Sequence, residues 1–297
     1  MNVAYPNLFI IGAPKCGTTA LATYLGERND VFVSDPKEPH HFSTDIGWHL
    51  TPKRRDYLSL FRNKKQDHKI ICDASVFYLY SDVAVPSILE FNPDAKCIVM
   101  VRNPVDMVIS MHGEARLDGF EDFADVEEAW HAHLQRANKR VGAVVPPIME
   151  YKKVAMNGAH LQRLFQRIDS SRVLVILFDD FQNNTAIEYQ RVLRFLDLPD
   201  DGRTEFPVYN AMKSVKWYRL HKFLVRTRST LKKIGFNLHG TGLIIFFIRM
   251  SGAAKRKNIP PTRFRMLLAE TFREDIRLLE QILGRDLSHW LQPQPKQ

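Results

Sequence analysis

The segment from Phe9 to Leu21 constrains the fold of this chain more than any other stretch. Its first residues are apolar and typical of a buried strand, Gly12 and Gly17 bracket a short loop, and two threonines open an amphipathic helix. Such a strand–loop–helix unit leaves backbone N–H groups free at the start of the helix, where they favour a bound phosphate or sulfate. Lys15 lies within the loop, two residues before Gly17. In the Walker A motif the lysine instead follows the second glycine and directly precedes Ser or Thr. The loop therefore predicts an anion site of another kind.

Along the rest of the chain, short apolar runs alternate with helical patterns. The runs of strand length are rich in Ile and Val, as expected for strands buried on both faces of a parallel sheet. They are Leu8–Ile11, Lys69–Cys72, Lys96–Val101 and Arg172–Phe178. Helical patterns cover Thr18–Glu27, Val83–Phe91, Pro104–Ala115, Phe123–Asn138, Met149–Arg167, Ala186–Leu196 and Arg263–Leu283, the last closed by Gly284. The alternation predicts an α/β fold with a central, mostly parallel sheet flanked by helices. A length of 297 residues fits one domain over residues 1–297.

The positive charge of the chain is concentrated in one segment. Residues 206–269 contain fourteen Lys and Arg and no Asp or Glu, so they carry +14 while the remainder carries −5, which gives the net +9. A field this one-sided attracts an anionic ligand, an acidic substrate or a membrane surface. A solvated basic face without a partner is the alternative. No recognised DNA- or RNA-binding motif accompanies the charge, which argues against nucleic acid as a partner.

Cysteine usage and hydropathy indicate the compartment. Cys16, Cys72 and Cys97 make an odd count without metal-ligand spacing, which predicts free thiols in a reducing compartment and no metal site. No signal-peptide pattern is visible at the N-terminus. The longest apolar run, Leu243–Ile248, is too short to cross a bilayer. We therefore predict a cytoplasmic protein without a transmembrane segment, and basic residues near this run leave peripheral contact with a membrane open.

Two further polar elements are expected at the edge of the sheet where Lys15 lies, because ligands of open α/β sheets bind at the carboxyl ends of the strands. Arg102 follows an apolar run, and Ser110 comes eight residues later, two turns into the next helix. The forked guanidinium and the hydroxyl together suit a second anionic group. A structural salt bridge is the alternative for Arg102. The loop from Asp35 to Phe42 follows the short apolar run Val31–Val33 and adds a lysine, a carboxylate and two histidines.

Taken together, the Lys15 loop, the Arg102–Ser110 segment and the Lys37–Phe42 loop resemble the sulfotransferase family that uses 3′-phosphoadenosine 5′-phosphosulfate (PAPS), in its bacterial and carbohydrate-type branch. Further similarities extend over most of the chain in the family's order; they lie at Phe178–Phe181, Arg191–Pro199 and Leu279–Trp290. The resemblance implies a P-loop-like nucleotide-binding topology and enzymatic transfer of a sulfuryl group. The acceptor would be a hydroxyl group, or less readily an amine, with a carbohydrate favoured, and the other product would be adenosine 3′,5′-bisphosphate (PAP).

The resemblance also assigns the donor site. It implies that the 5′-phosphosulfate is held by Lys15 and its neighbours, and that Lys15 stabilises the departing phosphate. The neighbours concerned are Cys16, Gly17, Thr18 and Thr19. Arg102 and Ser110 would hold the 3′-phosphate. Lys213 and Lys216 are candidates to reach the same phosphate, with a plain surface role equally open.

The general base is predicted less uniquely, because several groups could take the proton of the acceptor hydroxyl. The resemblance favours Glu38, while His40 and His41 compete because an imidazole is poised near neutral pH. The predicted catalytic residues are therefore Lys15, Glu38 and His41. Asp73 is a further candidate, in a segment similar to the family's Gly-Glu-Ser/Thr-Pro-x-Tyr stretch but with Asp for Glu and Val76 for Pro.

Two other classes of function remain open from the sequence. A P-loop kinase-like nucleotide enzyme is disfavoured by the placement of Lys15 and by the lack of an apolar run ending in a Mg²⁺-binding Asp. The second alternative is a non-catalytic module that binds anionic glycans through residues 206–269.

Overall fold

Five parallel strands form one sheet in the order β2-β3-β1-β4-β5. The computed structural model describes residues 5–47, 51–137, 146–208 and 260–292. The strands are β1 (Leu8–Gly12), β2 (Val31–Val33), β3 (Ile70–Ala74), β4 (Lys96–Val101) and β5 (Val173–Leu177). The predicted α/β class with a parallel sheet is confirmed, and the short apolar run at 31–33 supplies a fifth strand.

The centre of the sheet is buried on both faces, which explains its nearly continuous apolar sequence. Leu8 of β1 lies opposite Cys72 of β3 on one side and opposite Lys96 of β4 on the other. Every residue of β1 and β3 is buried. The thiols of Cys72 in β3 and Cys97 in β4 are unpaired and buried, and burial raises the pKa of Cys97 to about 12. Both cysteines act here as small apolar side chains.

Helices pack on the two faces of the sheet. They are α1 (Thr18–Gly26), α2 (Arg54–Ser59), α3 (Ala84–Phe91), α4 (Pro104–Leu117), α5 (Val126–Ala137), α6 (Tyr151–Val154), α7 (Asn157–Phe165), α8 (Phe178–Asn183), α9 (Thr185–Phe195), α10 (Thr262–Thr271) and α11 (Arg273–Leu283). Pro104 occupies the first turn of α4, and the side chain of Asn103 accepts the Val105 N–H at 2.9 Å. Gly284 ends α11 in a left-handed conformation, φ 60°, as the sequence predicted.

The prediction of one continuous helix over Met149–Arg167 is wrong. The chain there forms a 3₁₀ turn at Pro147–Met149, then α6, then α7. Asp275 of α11 accepts the N–H groups of Gly158 (3.0 Å) and Ala159 (2.8 Å) at the start of α7. A continuous helix would use those N–H groups internally. Close packing against α11 also requires glycine, since a Cβ at Gly158 would lie 2.3 Å from the Asp275 carbonyl oxygen.

Two other predicted boundaries differ in the structure, each at a phenylalanine. The helix predicted over Arg263–Leu283 divides into α10 and α11 at Phe272. Phe272 is buried with its ring 6.0 Å from that of Trp130. The last strand ends at Leu177, so that Phe178, predicted as its final residue, begins α8 instead.

The order of the strands fixes where a ligand can bind. The chain places β2 and β3 on one side of β1, and β4 and β5 on the other. The crevice of such a sheet opens where the crossovers diverge, at the carboxyl ends of β1 and β4. Lys15 follows β1 and Arg102 follows β4, so both lie at this crevice.

Two sequence predictions extend beyond the described ranges. The single domain over residues 1–297, with the basic segment 206–269, stays a prediction because residues 209–259 lie outside the described residues. Within the ranges described, no helix has both the length and the apolar character needed to span a bilayer.

Candidate active site

The Lys15 loop turns sharply around the start of α1. Lys15 and Gly17 both have left-handed backbones, with φ 64° and φ 90°. A Cβ on Gly17 would lie 3.1 Å from the Phe178 ring and 3.2 Å from the Met100 methyl group. Glycine therefore meets both the conformational and the steric demand of this position. A non-glycine residue in this conformation, as at Lys15, is frequent at functional sites, where surrounding contacts maintain it.

The first turn of α1 is open to an anion. Its N-cap is Gly17, no side chain among the described residues caps it, and it contains no acidic residue. The free N–H groups and the positive end of the helix dipole therefore point into the crevice uncompensated. Thr18 is buried, while Thr19 is partly exposed, and both line the cleft beside this helix end. This is the local geometry that binds phosphate and sulfate groups.

The Lys15 ammonium forms an ion pair with a carboxylate in this structure. Its Nζ lies 2.8 Å from Glu114 Oε2, with the two side chains 23% and 41% exposed. Glu114 belongs to α4, and Asp118 follows one turn later at the exposed rim of the cleft. Partial desolvation of the Asp118 carboxyl, together with the charge of Glu114, raises the pKa of Asp118 to about 6. The cleft thus contains acidic groups directly beside its lysine.

Arg102 and Ser110 reach the same cleft from β4 and α4. Arg102 Nη1 donates to the Lys15 carbonyl oxygen at 3.1 Å, and its guanidinium lies 4.6 Å from the centre of the Phe178 ring. These contacts fix the guanidinium beside the Lys15 loop and leave other N–H groups for a ligand. Ser110 lies in the second turn of α4 with 6% exposure. Both residues line the cleft.

Glu38 is held as an ionised carboxylate at the opposite wall. Lys37 Nζ lies 2.7 Å from Glu38 Oε1 and 3.2 Å from the Thr19 hydroxyl. His40 Nε2 lies 3.3 Å from Glu38 Oε2. Burial favours the protonated form of Glu38, but the contact with His40 and the charge and hydrogen bond of Lys37 outweigh it and lower the pKa of Glu38 to about 2. The carboxylate is therefore ionised and can accept a hydrogen bond.

Other residues predicted for the site face elsewhere. His41 Nδ1 lies 2.6 Å from the Thr51 carbonyl oxygen, and its ring stacks on Tyr57 at 4.3 Å. Asp73 is fully buried, and neither residue lines the cleft. The Cys16 thiol is also buried, hydrogen bonds to the Pro14 carbonyl oxygen at 3.4 Å, and has its pKa raised to about 12 by burial.

Two further predictions about the site cannot be compared with the structure. Lys213 and Lys216 lie outside the described residues. In the part of the chain that is described, no group of three or more His, Cys, Asp or Glu side chains is placed to hold a metal ion. The absence of a metal stays a prediction.

The Lys15 loop, the start of α1, Glu38, Arg102 and Ser110 line one cleft of about 540 Å³. Its basic part consists of the Lys15 loop, the start of α1, Arg102 and Ser110, and Phe178 and Gln182 line it as well. The lining also includes the carboxylates of Glu38, Glu114 and Asp118 and an apolar wall. That wall contains Val76, Phe77, Leu117, Pro146, Pro147 and Ile148. The cleft therefore combines cationic groups, which suit an anionic ligand, with carboxylates and apolar surface.

Glu114 and Asp118 are the site residues that the sequence analysis missed. Glu114 lies four residues after Ser110 on α4, and Asp118 caps the C-terminus of this helix eight residues after Ser110. The helical period therefore places all three on the same side of the helix. Extending the helical period beyond Ser110 is the signal that would have found them.

Comparison with known proteins places the chain in a family. Residues 5–216 match the family model described as "Sulfotransferase domain". The chain therefore belongs to the sulfotransferase family, and the predicted resemblance is confirmed.

Curated relatives include human heparan sulfate glucosamine 3-O-sulfotransferase 6, 26% identical over 70% of this chain and 57% of that protein. Human carbohydrate sulfotransferase 15 is 25% identical over 65% of this chain and 44% of its own length. The membrane-associated sulfotransferase kil1 of Dictyostelium discoideum is 29% identical over 36% of this chain and 22% of its own length. The chain thus matches between about a fifth and three fifths of the length of these relatives.

Solved structures share the fold. A sulfotransferase from Alicyclobacillus acidocaldarius superposes with a TM-score of 0.70 at 23% identity, covering 97% of this chain and 100% of that one. The mouse sulfotransferase SULT7A1 complexed with PAP gives a TM-score of 0.50 at 14% identity, covering 94% and 89%. At these identities the likeness establishes the P-loop-like α/β fold.

Proposed function

We propose that this sulfotransferase moves a sulfuryl group from PAPS to a hydroxyl group of a carbohydrate, and that the described cleft is its active site. One observation carries the proposal. Lys15 at an uncapped helix start, the Arg102–Ser110 pair and the ionised Glu38 line the same cleft. An anion cradle, a second anion site and a proton acceptor are what this reaction needs together.

The donor would bind in the basic part of the cleft, between the Lys15 loop and Arg102. The N–H groups at the start of α1, the Thr18 and Thr19 hydroxyls and the Lys15 ammonium suit the 5′-phosphosulfate. Arg102 and Ser110 suit the 3′-phosphate, the group that distinguishes this donor from ATP. The mouse sulfotransferase with a similar fold is complexed with PAP, which supports a nucleotide of this kind. Lys213 and Lys216 remain candidates for the same phosphate.

Transfer would proceed by in-line displacement at sulfur. The bond from sulfur to the bridging phosphate oxygen breaks as the acceptor oxygen attacks, so negative charge grows on the departing phosphate. Lys15 and the start of α1 would stabilise that charge, which is where positioned donors contribute most. Glu38 would take the proton of the acceptor hydroxyl. Its low pKa makes it a weak base, so it would act mainly by orienting the hydroxyl and accepting its proton late in the transfer.

Two considerations favour a carbohydrate acceptor. Relatives that match 65–70% of the chain carry names of heparan sulfate and carbohydrate sulfotransferases. The cleft also combines carboxylates with an apolar wall, which suits a sugar because sugars present both hydroxyl donors and apolar faces. An amine acceptor is the neighbouring chemistry and would use the same groups.

The test is a transfer assay with PAPS and a set of neutral, N-acetylated and N-sulfated oligosaccharides, followed by mass spectrometry. We expect at least one oligosaccharide to gain one SO3 group with release of PAP, and Lys15→Ala to abolish the gain. Turnover with ATP and Mg²⁺ but not with PAPS would overturn the proposal in favour of a kinase. Glycan binding that survives Lys15→Ala and Glu38→Ala without any transfer would favour the non-catalytic module.

The cellular setting is also a proposal. The cysteine pattern supports a cytoplasmic location. Peripheral membrane contact would involve residues 243–248, which lie outside the described residues. Fractionation of cells into soluble and membrane pools tests both.

A further inference from the structure

The loop that carries Glu38 has an unusual backbone. Glu38 and His40 both adopt left-handed conformations, with φ 64° and φ 49°. Residues other than glycine rarely do so unless surrounding contacts impose it. His40 is buried, and its Nδ1 has no hydrogen-bond partner among the described residues. The conformation of this loop must therefore be fixed largely through its backbone.

A buried carboxylate lies directly beneath this loop. Asp73, at the carboxyl end of β3, is 0% exposed. It accepts hydrogen bonds from Ser75 Oγ at 2.7 Å and from the hydroxyls of Tyr57 and Tyr78, each at 2.9 Å. Burial raises the pKa of both tyrosines well above the ordinary value. Both hydroxyls therefore stay protonated and donate hydrogen bonds to Asp73.

Two of these hydroxyls connect Asp73 to the loop. Ser75 Oγ accepts the backbone N–H of His40 at 3.1 Å. The Tyr78 hydroxyl accepts the backbone N–H of Phe42 at 3.4 Å. Because each hydroxyl donates its hydrogen bond to Asp73, the lone pairs of its oxygen are free to accept these N–H groups. Tyr57 differs, since it contacts the loop through its ring, which stacks on His41 and meets the edge of Phe42.

We propose that Asp73 is a positioning residue for Glu38, acting through the Ser75 and Tyr78 hydroxyls on the backbone of residues 38–42. It fixes His40, and His40 together with Lys37 holds the Glu38 carboxylate in the cleft. The importance of this for catalysis rests on the proposed role of Glu38. The effect of Asp73 on the position of Glu38 can be measured without an assay of sulfuryl transfer.

The protonation of Glu38 reports its position. The titratable groups that face it are Lys37 and His40 on its own loop and Asp118 at the C-terminal cap of α4. If the loop shifts, the contact of 3.3 Å between His40 and Glu38 is lost, and with it an interaction that lowers the pKa of Glu38. Ser75→Ala removes the link to His40. Tyr57→Phe is the matched control, since it removes a hydroxyl donor to Asp73 from a fully buried side chain and leaves both links intact.

The experiment is an NMR titration of ¹³C-labelled glutamate carboxylates, with the Glu38 signal assigned through Glu38→Gln. The titration runs downward from pH 7 while the protein stays folded. Calorimetry measures whether the affinity for PAP changes. We expect Ser75→Ala and Asp73→Asn to raise the Glu38 midpoint by about one unit or more, with PAP affinity within about twofold. Tyr57→Phe should leave the midpoint in place.

An unchanged Glu38 midpoint in Ser75→Ala, or an equal shift in Tyr57→Phe, would overturn the inference. If Asp73→Asn does not fold, Ser75→Ala decides alone, because serine to alanine is the smaller change in a buried site. Failure of the proposed function would look different. It would appear as full transfer by Glu38→Gln, or as no transfer from PAPS by the wild type, with the titration results unaffected.

Discussion

Replacing Glu114 with glutamine is expected to tighten binding of the donor nucleotide, although Glu114 lines the cleft. Lys15 Nζ is paired with Glu114 Oε2 at 2.8 Å, and Lys15 must turn from this carboxylate to a phosphate when the nucleotide binds. Breaking the pair therefore opposes binding. Glu114→Gln removes the charge that holds the lysine and keeps the size of the side chain.

The magnitude follows from the exposure of the pair. With the side chains 23% and 41% exposed, the pair belongs with partly solvated ion pairs, which contribute about 0.2–1 kcal/mol. A dissociation constant changes tenfold for about 1.4 kcal/mol. The affinity for PAP should therefore increase by between about 1.4-fold and fivefold. Added salt should reduce the gain because it already screens the pair.

The assay is isothermal titration calorimetry with PAP at pH 8, above the pKa of Asp118, with Asp118→Asn as the matched control. Asp118 lies one turn further along α4 in the same cleft, so its removal measures the general effect of losing one negative charge. We expect Glu114→Gln to exceed Asp118→Asn, and the difference to vanish in a Lys15→Met background. Weaker PAP binding in Glu114→Gln, or equal gains in both variants, would refute the reasoning.

Three further outcomes are expected. Ser110→Ala should weaken PAP by roughly tenfold while leaving adenosine 5′-phosphate unchanged, because it removes one hydrogen bond to a charged group; equal losses for the two nucleotides in calorimetry would contradict a role at the 3′-phosphate. Gly17→Ala should lower stability by about 1–3 kcal/mol and weaken PAP, because its φ is 90° and the new Cβ would lie 3.1 Å from Phe178; a denaturant midpoint equal to the wild type would contradict this. Burial opposes ionisation of Glu38, but His40 and Lys37 lower its pKa to about 2, below the unfolded value of about 4.3. Its stabilising contribution is therefore complete above about pH 4.3 and lost as pH falls through 2, so the melting temperature of Glu38→Gln should approach that of the wild type on acidification. A gap that widens toward acid would have the wrong sign.

The parts of the fold that the sequence predicted are those encoded by neighbouring residues. Apolar runs gave the long strands, and Pro104 and Gly284 marked the ends of α4 and α11. The Lys15 loop was recognisable because glycine and threonine at fixed positions are what an open helix start requires. Strand order was needed only to bring Arg102 beside it.

The parts that the sequence did not predict depend on contacts between distant residues. The break before α7 exists because Asp275, more than a hundred residues away, takes the N–H groups of Gly158 and Ala159. His40 and His41 looked equivalent in the sequence, yet only His40 faces Glu38. The left-handed backbone at Glu38 and His40 sets which histidine does so, and we argue that Asp73, Ser75 and Tyr78 maintain that backbone from β3 and the residues after it. No local pattern in residues 35–42 contains this information.

The central claim is that Lys15, Arg102, Ser110 and Glu38 form one site for sulfuryl transfer, and a crystal structure with PAP bound tests it most directly. We predict the 5′-phosphate against Lys15 and the start of α1, with the Lys15–Glu114 pair broken. The 3′-phosphate should lie against Arg102 and Ser110, and Glu38 should face the open half of the cleft. A nucleotide bound away from this cleft, or one whose 3′-phosphate contacts neither Arg102 nor Ser110, would contradict the account.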